Sequence, residues 1–199
     1  MRLLITGGAG FIGSNYINWH LQQYPNDEIV CLDKLTYAAS KAAADLLCLA
    51  YARTYGLYVT ISRSSNNYGP WQHSEKLLPK IIALAKSGPK IPVYGTGLNK
   101  RDWLYVFDHC IAVDKILKNG KAGHIYNIAA GTEMANLTFI KVALGILGKD
   151  ENVIEFVEDR AGHDLRYPMD CEKIKNELAW KTHYAFEEAL TKTVAWYKG

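Results

Sequence analysis

Short apolar runs alternate along this chain with longer stretches in which apolar residues recur every three or four positions. Residues 2–6 (RLLIT) are a compact apolar run that ends at glycines, which predicts a buried strand. Residues 11–24 (FIGSNYINWHLQQY) have helical spacing and are closed by Pro25 and Asn26. Residues 28–33 (EIVCLD) give a second strand. After almost no loop, residues 40–56 read as a long helix. Ser40 could cap its start, alanines fill it and Gly56 stops it. Residues 57–63 (LYVTISR) give a third strand.

The texture changes after residues 66–71 (NNYGPW). A helix over 76–88 tolerates Pro79 near its start. Residues 90–95 (KIPVYG) suit an edge strand, because Pro92 removes a ladder donor. Residues 101–120 begin extended and end helical. A strand is expected at 124–130, a helix at 136–148 with Asn136 as possible cap, a strand at 153–159, and helices at 170–178 and 186–198. Strands alternating with helices predict an α/β fold with a parallel sheet. The boundary falls near residue 71, giving a nucleotide-binding part at 1–71 and a C-terminal lobe at 72–199.

Composition narrows the possibilities. The chain has 199 residues, 49% of them hydrophobic, and a net charge of +3. That charge is too small and too mixed in sign for a nucleic-acid surface. Cys31, Cys48, Cys110 and Cys171 stand singly, so the expectation is a reducing compartment, apolar core cysteines and no metal site. No apolar run has the length of a membrane span, and the N-terminal run is too short for a signal peptide. A soluble, cytoplasmic protein is expected.

Candidate chemistry starts at TGGAGFIG (6–13). Gly8, Gly10 and Gly13 form Gly-x-Gly-x-x-Gly directly after a strand and at the start of a helix. Glycine lets the backbone turn tightly and approach a pyrophosphate, and the helix N-terminus offers N–H groups and positive dipole. Asp33 lies 20 residues past Gly13, at the end of the second strand, where a carboxylate accepts ribose hydroxyls and favours NAD over NADP. Tyr37 and Lys41 are four apart and share a face on a helix. A nearby ammonium stabilises phenolate, so the pair suits acid–base work.

ITGGAGFIGSN, LDKLTYA, SKAAAD, SRSSNNYGP, EKLLPKII, RDWLYVFDH, GKAGHIYNI and DRAGHDLRYPMD cover nearly the whole chain. On these segments the chain resembles the dTDP-glucose 4,6-dehydratases, NAD-dependent lyases among the extended short-chain dehydrogenases/reductases. The resemblance implies a Rossmann-type parallel sheet with helices on both faces, shortened here, and a small C-terminal substrate lobe. The chemistry it implies is oxidation at C4 of glucose by bound NAD, loss of water across C5 and C6, and hydride return to C6. Tyr37 would move the C4 hydroxyl proton and Lys41 would hold the nicotinamide ribose. Gly7, Gly8, Gly10, Phe11, Ile12 and Gly13 would line the pyrophosphate. Asp33, Lys34, Leu35 and Thr36 would surround the adenosine ribose, and Asn67 would face NAD. The resemblance assigns Asn66, Lys76, Leu77, Pro92, Val93, Tyr94, Arg101 and Asn136 to the nucleotide sugar. Asp159, Arg160, Ala161, Gly162 and His163 would close over it. A homodimer is the expected assembly. Arg101 has the planar fork for a diphosphate and Tyr94 the ring for a base. Plainer readings stand beside these: Arg101–Asp102 as a surface ion pair, Trp103 as core, His163–Asp164 as a capped loop, and His73 and His109 as structural.

One segment of the family pattern is missing. The resemblance places three further strands and their helices, on the order of 100 residues, between the aspartate strand and the Tyr–Lys helix. That region would carry a Thr-Asp-Glu triplet whose two acids serve the dehydration. Here LDKLTYA runs directly into ASKAAAD, and Tyr37 fits the tyrosine of either motif. Asp33 and Tyr37 are at most about 13–14 Å apart along an extended chain. The first strand would then expose an edge that pairs with the third strand, pairs with a partner chain, or stays open. Three readings follow: a working dehydratase, a relic that still binds a nucleotide or nucleotide sugar, or an interaction protein. Asp45, one turn after Lys41, reads as a solvated face residue.

Overall fold

The computed structural model of the chain describes residues 2–6, 11–32, 39–159, 163–166 and 168–198. In chain order the elements begin with β1 (Arg2–Thr6), α1 (Phe11–Gln23), β2 (Glu28–Leu32), α2 (Ala39–Tyr55) and β3 (Ile61–Ser64). Then come β4 (Asn66–Tyr68), α3 (Leu77–Ser87), β5 (Ile91–Tyr94), β6 (Lys100–Tyr105) and α4 (Val106–Asn119). The remainder are β7 (Ile125–Ile128), β8 (Glu133–Ala135), α5 (Asn136–Leu147), β9 (Ile154–Val157), α6 (Glu172–Leu178) and α7 (Phe186–Lys198). The fold is α/β, and among the described residues all but one of the ladders are parallel.

Two compact units divide the chain. One gathers Met1–Ser64, Phe107–Ile128 and Asp170–Lys181, the other Ser65–Val106, Ala129–Met169 and Thr182–Gly199. A single boundary near residue 71 is a division by chain order, whereas each unit is assembled from three segments.

In the first unit β1 pairs with β2 in parallel, from Arg2↔Glu28 to Thr6↔Leu32. β3 pairs with β7, starting at Ile61↔Ile125, and no β1–β3 ladder forms among the described residues. The third strand is shorter than its sequence suggests, because residues 57–60 precede it without joining a ladder. Tyr126, Ile128, Ile116, Ile174 and Trp180 are buried here. His20, also buried, lies 3.3 Å from the Tyr16 hydroxyl and 2.9 Å from an Asp27 carboxylate oxygen.

In the second unit β6 lies between β4 (parallel) and β8 (antiparallel), while β5 pairs with β9. Five successive residues of β6, Arg101 to Tyr105, are buried, as a central strand requires. The helices bury regular stripes: Leu78, Ile81, Ile82 and Ala85 on α3, and Phe139, Ile140, Ala143 and Leu144 on α5. Trp103 stacks on Phe139 with ring centroids 3.9 Å apart, so it is core. Gly88 and Gly148 end α3 and α5 in the left-handed conformation, at φ +92° and +68°.

Three local expectations need correction. Helix α2 starts at Ala39, so Ser40 lies inside it rather than before it. Ala135, not Asn136, precedes α5, with no side-chain cap; backbone carbonyls from another segment do that work. Cys110 and Cys171 are buried, but Cys48 is exposed on α2.

Candidate functional site

The parallel register of β1 and β2 sets the geometry of the first candidate region. Thr6 and Leu32 are direct partners at the C-terminal ends of neighbouring strands. The chain leaves Thr6 toward the glycines and α1, and leaves Leu32 toward Asp33. Ligands of open α/β sheets gather at such strand ends. Gly7, Gly8, Gly10, Asp33, Lys34, Leu35, Thr36 and Tyr37 themselves lie outside the described residues, as do Arg160, Ala161 and Gly162. Phe11, Ile12 and Gly13 form the first turn of α1, and Lys41 is the third residue of α2. Asp45 is held by Arg63 of β3 at 2.8 and 2.9 Å, so it is an ion-paired carboxylate rather than a purely solvated one.

The second unit gives a fuller geometry, centred on the turn 95–99 between β5 and β6. Gly95 (φ +56°) and Gly97 (φ +70°) take conformations that L side chains rarely adopt. A Cβ on Gly95 would sit 2.7 Å from an Asp159 carboxylate oxygen, and one on Gly97 would meet Val93 and Leu137 at 2.7 and 3.0 Å. The turn therefore needs glycine for both its path and its neighbours. Its carbonyls then receive the start of α5: the Asn136 amide donates to Asn99 at 3.0 Å and the Leu137 amide to Gly97 at 2.9 Å. These are orphan helix donors that a side-chain cap would otherwise satisfy.

The segment 163–166 is fixed to the same turn and to β6. The Arg101 guanidinium donates to the Asp164 carbonyl at 2.8 Å and to its own neighbour's carbonyl, Lys100, at 2.7 Å. Asn99 donates to the same Asp164 carbonyl at 3.1 Å, and the Lys100 amide donates to Leu165 at 2.8 Å. Arg166 makes a two-pronged pair with Glu133 of β8 at 2.5 and 2.8 Å. The hydrogen bond from Arg166 holds the Glu133 carboxyl below its ordinary value. His163 Nδ1 lies 2.7 Å from Asp159 Oδ1, so His163 pairs with Asp159.

Tyr94, Arg101, Asn136, Asp159 and His163 thus converge on one turn although they come from four parts of the sequence. Tyr94 is 37% exposed and able to meet a ligand, whereas Arg101 is 7% exposed and tied into the backbone. Pro92 and Val93 continue β5 below Tyr94. Asn66 and Asn67 lie on β4, opposite Trp103 and Leu104. Asn67 donates to the Ser65 carbonyl and accepts from Gln72 through its own carbonyl. Lys76 and Leu77 stand at the start of α3. Asp102 is buried and accepts from the Ser65 hydroxyl at 2.6 Å and the Ala130 amide at 2.9 Å, so the Arg101–Asp102 surface ion pair does not exist. Sequence reading missed Asn99, Asp164 and the Arg166–Glu133 pair. The one available signal was the Gly-x-Gly of YGTGLN between two strands. Among the described residues no three His, Cys, Asp or Glu side chains are grouped to hold a metal ion, and no helix is long and apolar enough to cross a membrane.

Comparison with known proteins bears on the whole chain. The family model described as GDP-mannose 4,6 dehydratase matches residues 32–193. The chain belongs to this family. Among curated relatives, the dTDP-glucose 4,6-dehydratase of Streptomyces niveus is 46% identical over 162 residues, covering 81% of this chain and 48% of that protein. The chain spans about half the length of the curated relatives it matches. Among solved structures, dTDP-glucose 4,6-dehydratase from Bacillus anthracis, in complex with NAD, superposes with a TM-score of 0.90 at 32% identity. That match covers 100% of this chain and 96% of the other. The Streptomyces venezuelae enzyme with NAD and TYD bound gives 0.90 at 28%, covering 100% and 97%. The GDP-mannose 4,6 dehydratase family thus accounts for the α/β fold and for the motifs on β4, α3, β5 and β6.

Proposed function

We propose that this chain binds a thymidine-diphosphate sugar in its second unit and NAD at the β1–β2 strand ends, as a dTDP-glucose 4,6-dehydratase does. The observation that carries the reading is the convergence of Tyr94, Arg101, Asn136, Asp159 and His163 on the turn 95–99. The Tyr94 ring would lie against the base. The Arg101 guanidinium, fixed by its bonds to the Lys100 and Asp164 carbonyls, has the planar, charged shape that suits a diphosphate. His163, oriented by Asp159, would add a further donor.

The Thr6↔Leu32 register fits the cofactor, because it brings the exits toward the glycine segment and Asp33 side by side. Bound there, NAD would supply a reversible hydride acceptor. Tyr37 would hold and move the proton of the C4 hydroxyl, with Lys41 favouring the phenolate. The acid and base that the family uses for water loss lie in the segment missing between LDKLTYA and ASKAAAD. The proposal is therefore retained nucleotide-sugar binding with weak or no dehydration, in a cytoplasmic protein.

A second copy of the chain is the proposed partner. From residue 43 to 55 the exposed positions of α2 are Ala43, Ala44, Leu46, Leu47, Cys48, Ala50, Tyr51, Arg53, Thr54 and Tyr55, and only Arg53 is charged. Leu46, Leu47, Tyr51 and Tyr55 are 68%, 60%, 54% and 65% exposed, and Leu57 and Tyr58 extend the surface. Large exposed apolar side chains gathered on one helix are the kind of surface that a protein partner covers. The test of the function is calorimetric titration of the intact-mass-verified chain with thymidine diphosphate, dTDP-glucose and NAD. Saturable binding of the thymidine nucleotides is expected; no heat from either would remove the reading.

A further inference from the structure

Asn99 has no part in the motifs read from the sequence, yet its side chain and its backbone each bind a different segment. It is 2% exposed. Its backbone carbonyl accepts from the Asn136 amide at 3.0 Å, and its side-chain amide donates to the Asp164 carbonyl at 3.1 Å. Asn136 opens α5, and Asp164 directly follows His163. One residue therefore ties together two elements that carry proposed nucleotide-sugar contacts.

The neighbouring bonds act in the same direction. Arg101 donates to that same Asp164 carbonyl, so both lone pairs of the oxygen are used. Between these two side chains the Lys100 amide donates to Leu165. With the Asn99 amide removed, Arg101 would be the one side chain left on the Asp164 carbonyl among the described residues, and a guanidinium needed there is less able to turn toward a phosphate. The Asp164 carbonyl would lose one of its two side-chain donors, which weakens the hold of the turn and β6 on this segment.

We propose that Asn99 is a positioning residue of the nucleotide-sugar site, which holds the segment 163–166 against β6 and keeps Arg101 and His163 in register with Asn136. This rests on the reading of the second unit given under Proposed function. Asn99 itself need not touch the ligand.

The test uses the whole chain carrying Asn99→Leu, which keeps the volume and removes the donor; Asn99→Ser is the second variant if the first does not fold. Three quantities are compared with the wild type: exchange of the Lys100 amide, affinity for thymidine diphosphate, and affinity for NAD. Expected are faster Lys100 exchange, about tenfold weaker thymidine diphosphate binding, and unchanged NAD binding. A purely structural hydrogen bond would not separate the two ligands in this way. Unchanged thymidine diphosphate affinity overturns the proposal, as does an equal loss of both affinities. If the wild type binds no thymidine diphosphate, the positioning role falls with the site. Lys100 exchange then still reports whether Asn99 holds the segment down, so the two failures are told apart.

Discussion

His109 shows how burial alone turns a titratable residue into a pH sensor of stability. It is 4% exposed, and burial lowers its pKa from the ordinary 6.5 to about 4. The folded chain therefore keeps it neutral while the unfolded chain takes up a proton below 6.5. Stability from this group is complete above that value and is lost as pH falls toward 4, on the order of 3 kcal/mol for one proton. Urea unfolding between pH 7 and 4 should show this loss, and His109→Asn should flatten it; an equal slope in both would rule it out. The structural role expected for His109 could be read from its place in an apolar run. The close approach at Gly95 could not, because the side chain a Cβ would meet there is that of Asp159, 64 positions later in the chain. The same holds for Asn99 and Asp164. Residue types announce chemistry, but contacts between distant segments decide which side chain holds which.

At the scale of elements, the sequence placed every described α-helix except α4 within one or two residues, and for α4 it gave only a stretch, 101–120, that begins extended and ends helical. It missed β4 and β8, which have three residues each and too few positions to display an alternation. Helix α2 is the informative case. Its sequence is apolar almost all round, which in a soluble protein marks a helix covered on both sides. One face carries Asp45, Leu49 and Ala52, all partly covered, while the other exposes leucines and tyrosines. If a second copy covers that face, Leu47→Glu combined with Tyr51→Glu should convert a dimer to a monomer in sedimentation velocity. The proposed nucleotide-sugar site is built from residues of the other unit, so thymidine diphosphate affinity should be kept. A wild-type monomer, or an unchanged dimer in the double variant, would refute this interface.

At the scale of the molecule, the family membership and the α/β fold were both legible in the sequence. The arrangement around the turn 95–99 was not, because its hydrogen bonds join segments up to about 65 positions apart in the chain, which no local pattern announces. The juxtaposition of LDKLTYA and ASKAAAD was visible at once, and it agrees with a chain about half as long as its curated relatives. General acid–base groups contribute about 10²–10⁴-fold to proton-transfer steps, so their loss should silence dehydration even where substrate binds well. The most direct measurement is product formation from dTDP-glucose by the purified chain, with NAD added and substrate at a concentration that calorimetry shows to be saturating. The account predicts that dTDP-glucose is recovered intact, with any 4-keto-6-deoxy sugar formed at least about a hundredfold more slowly than by a full-length family enzyme assayed alongside. Product at the full-length enzyme's rate would contradict it.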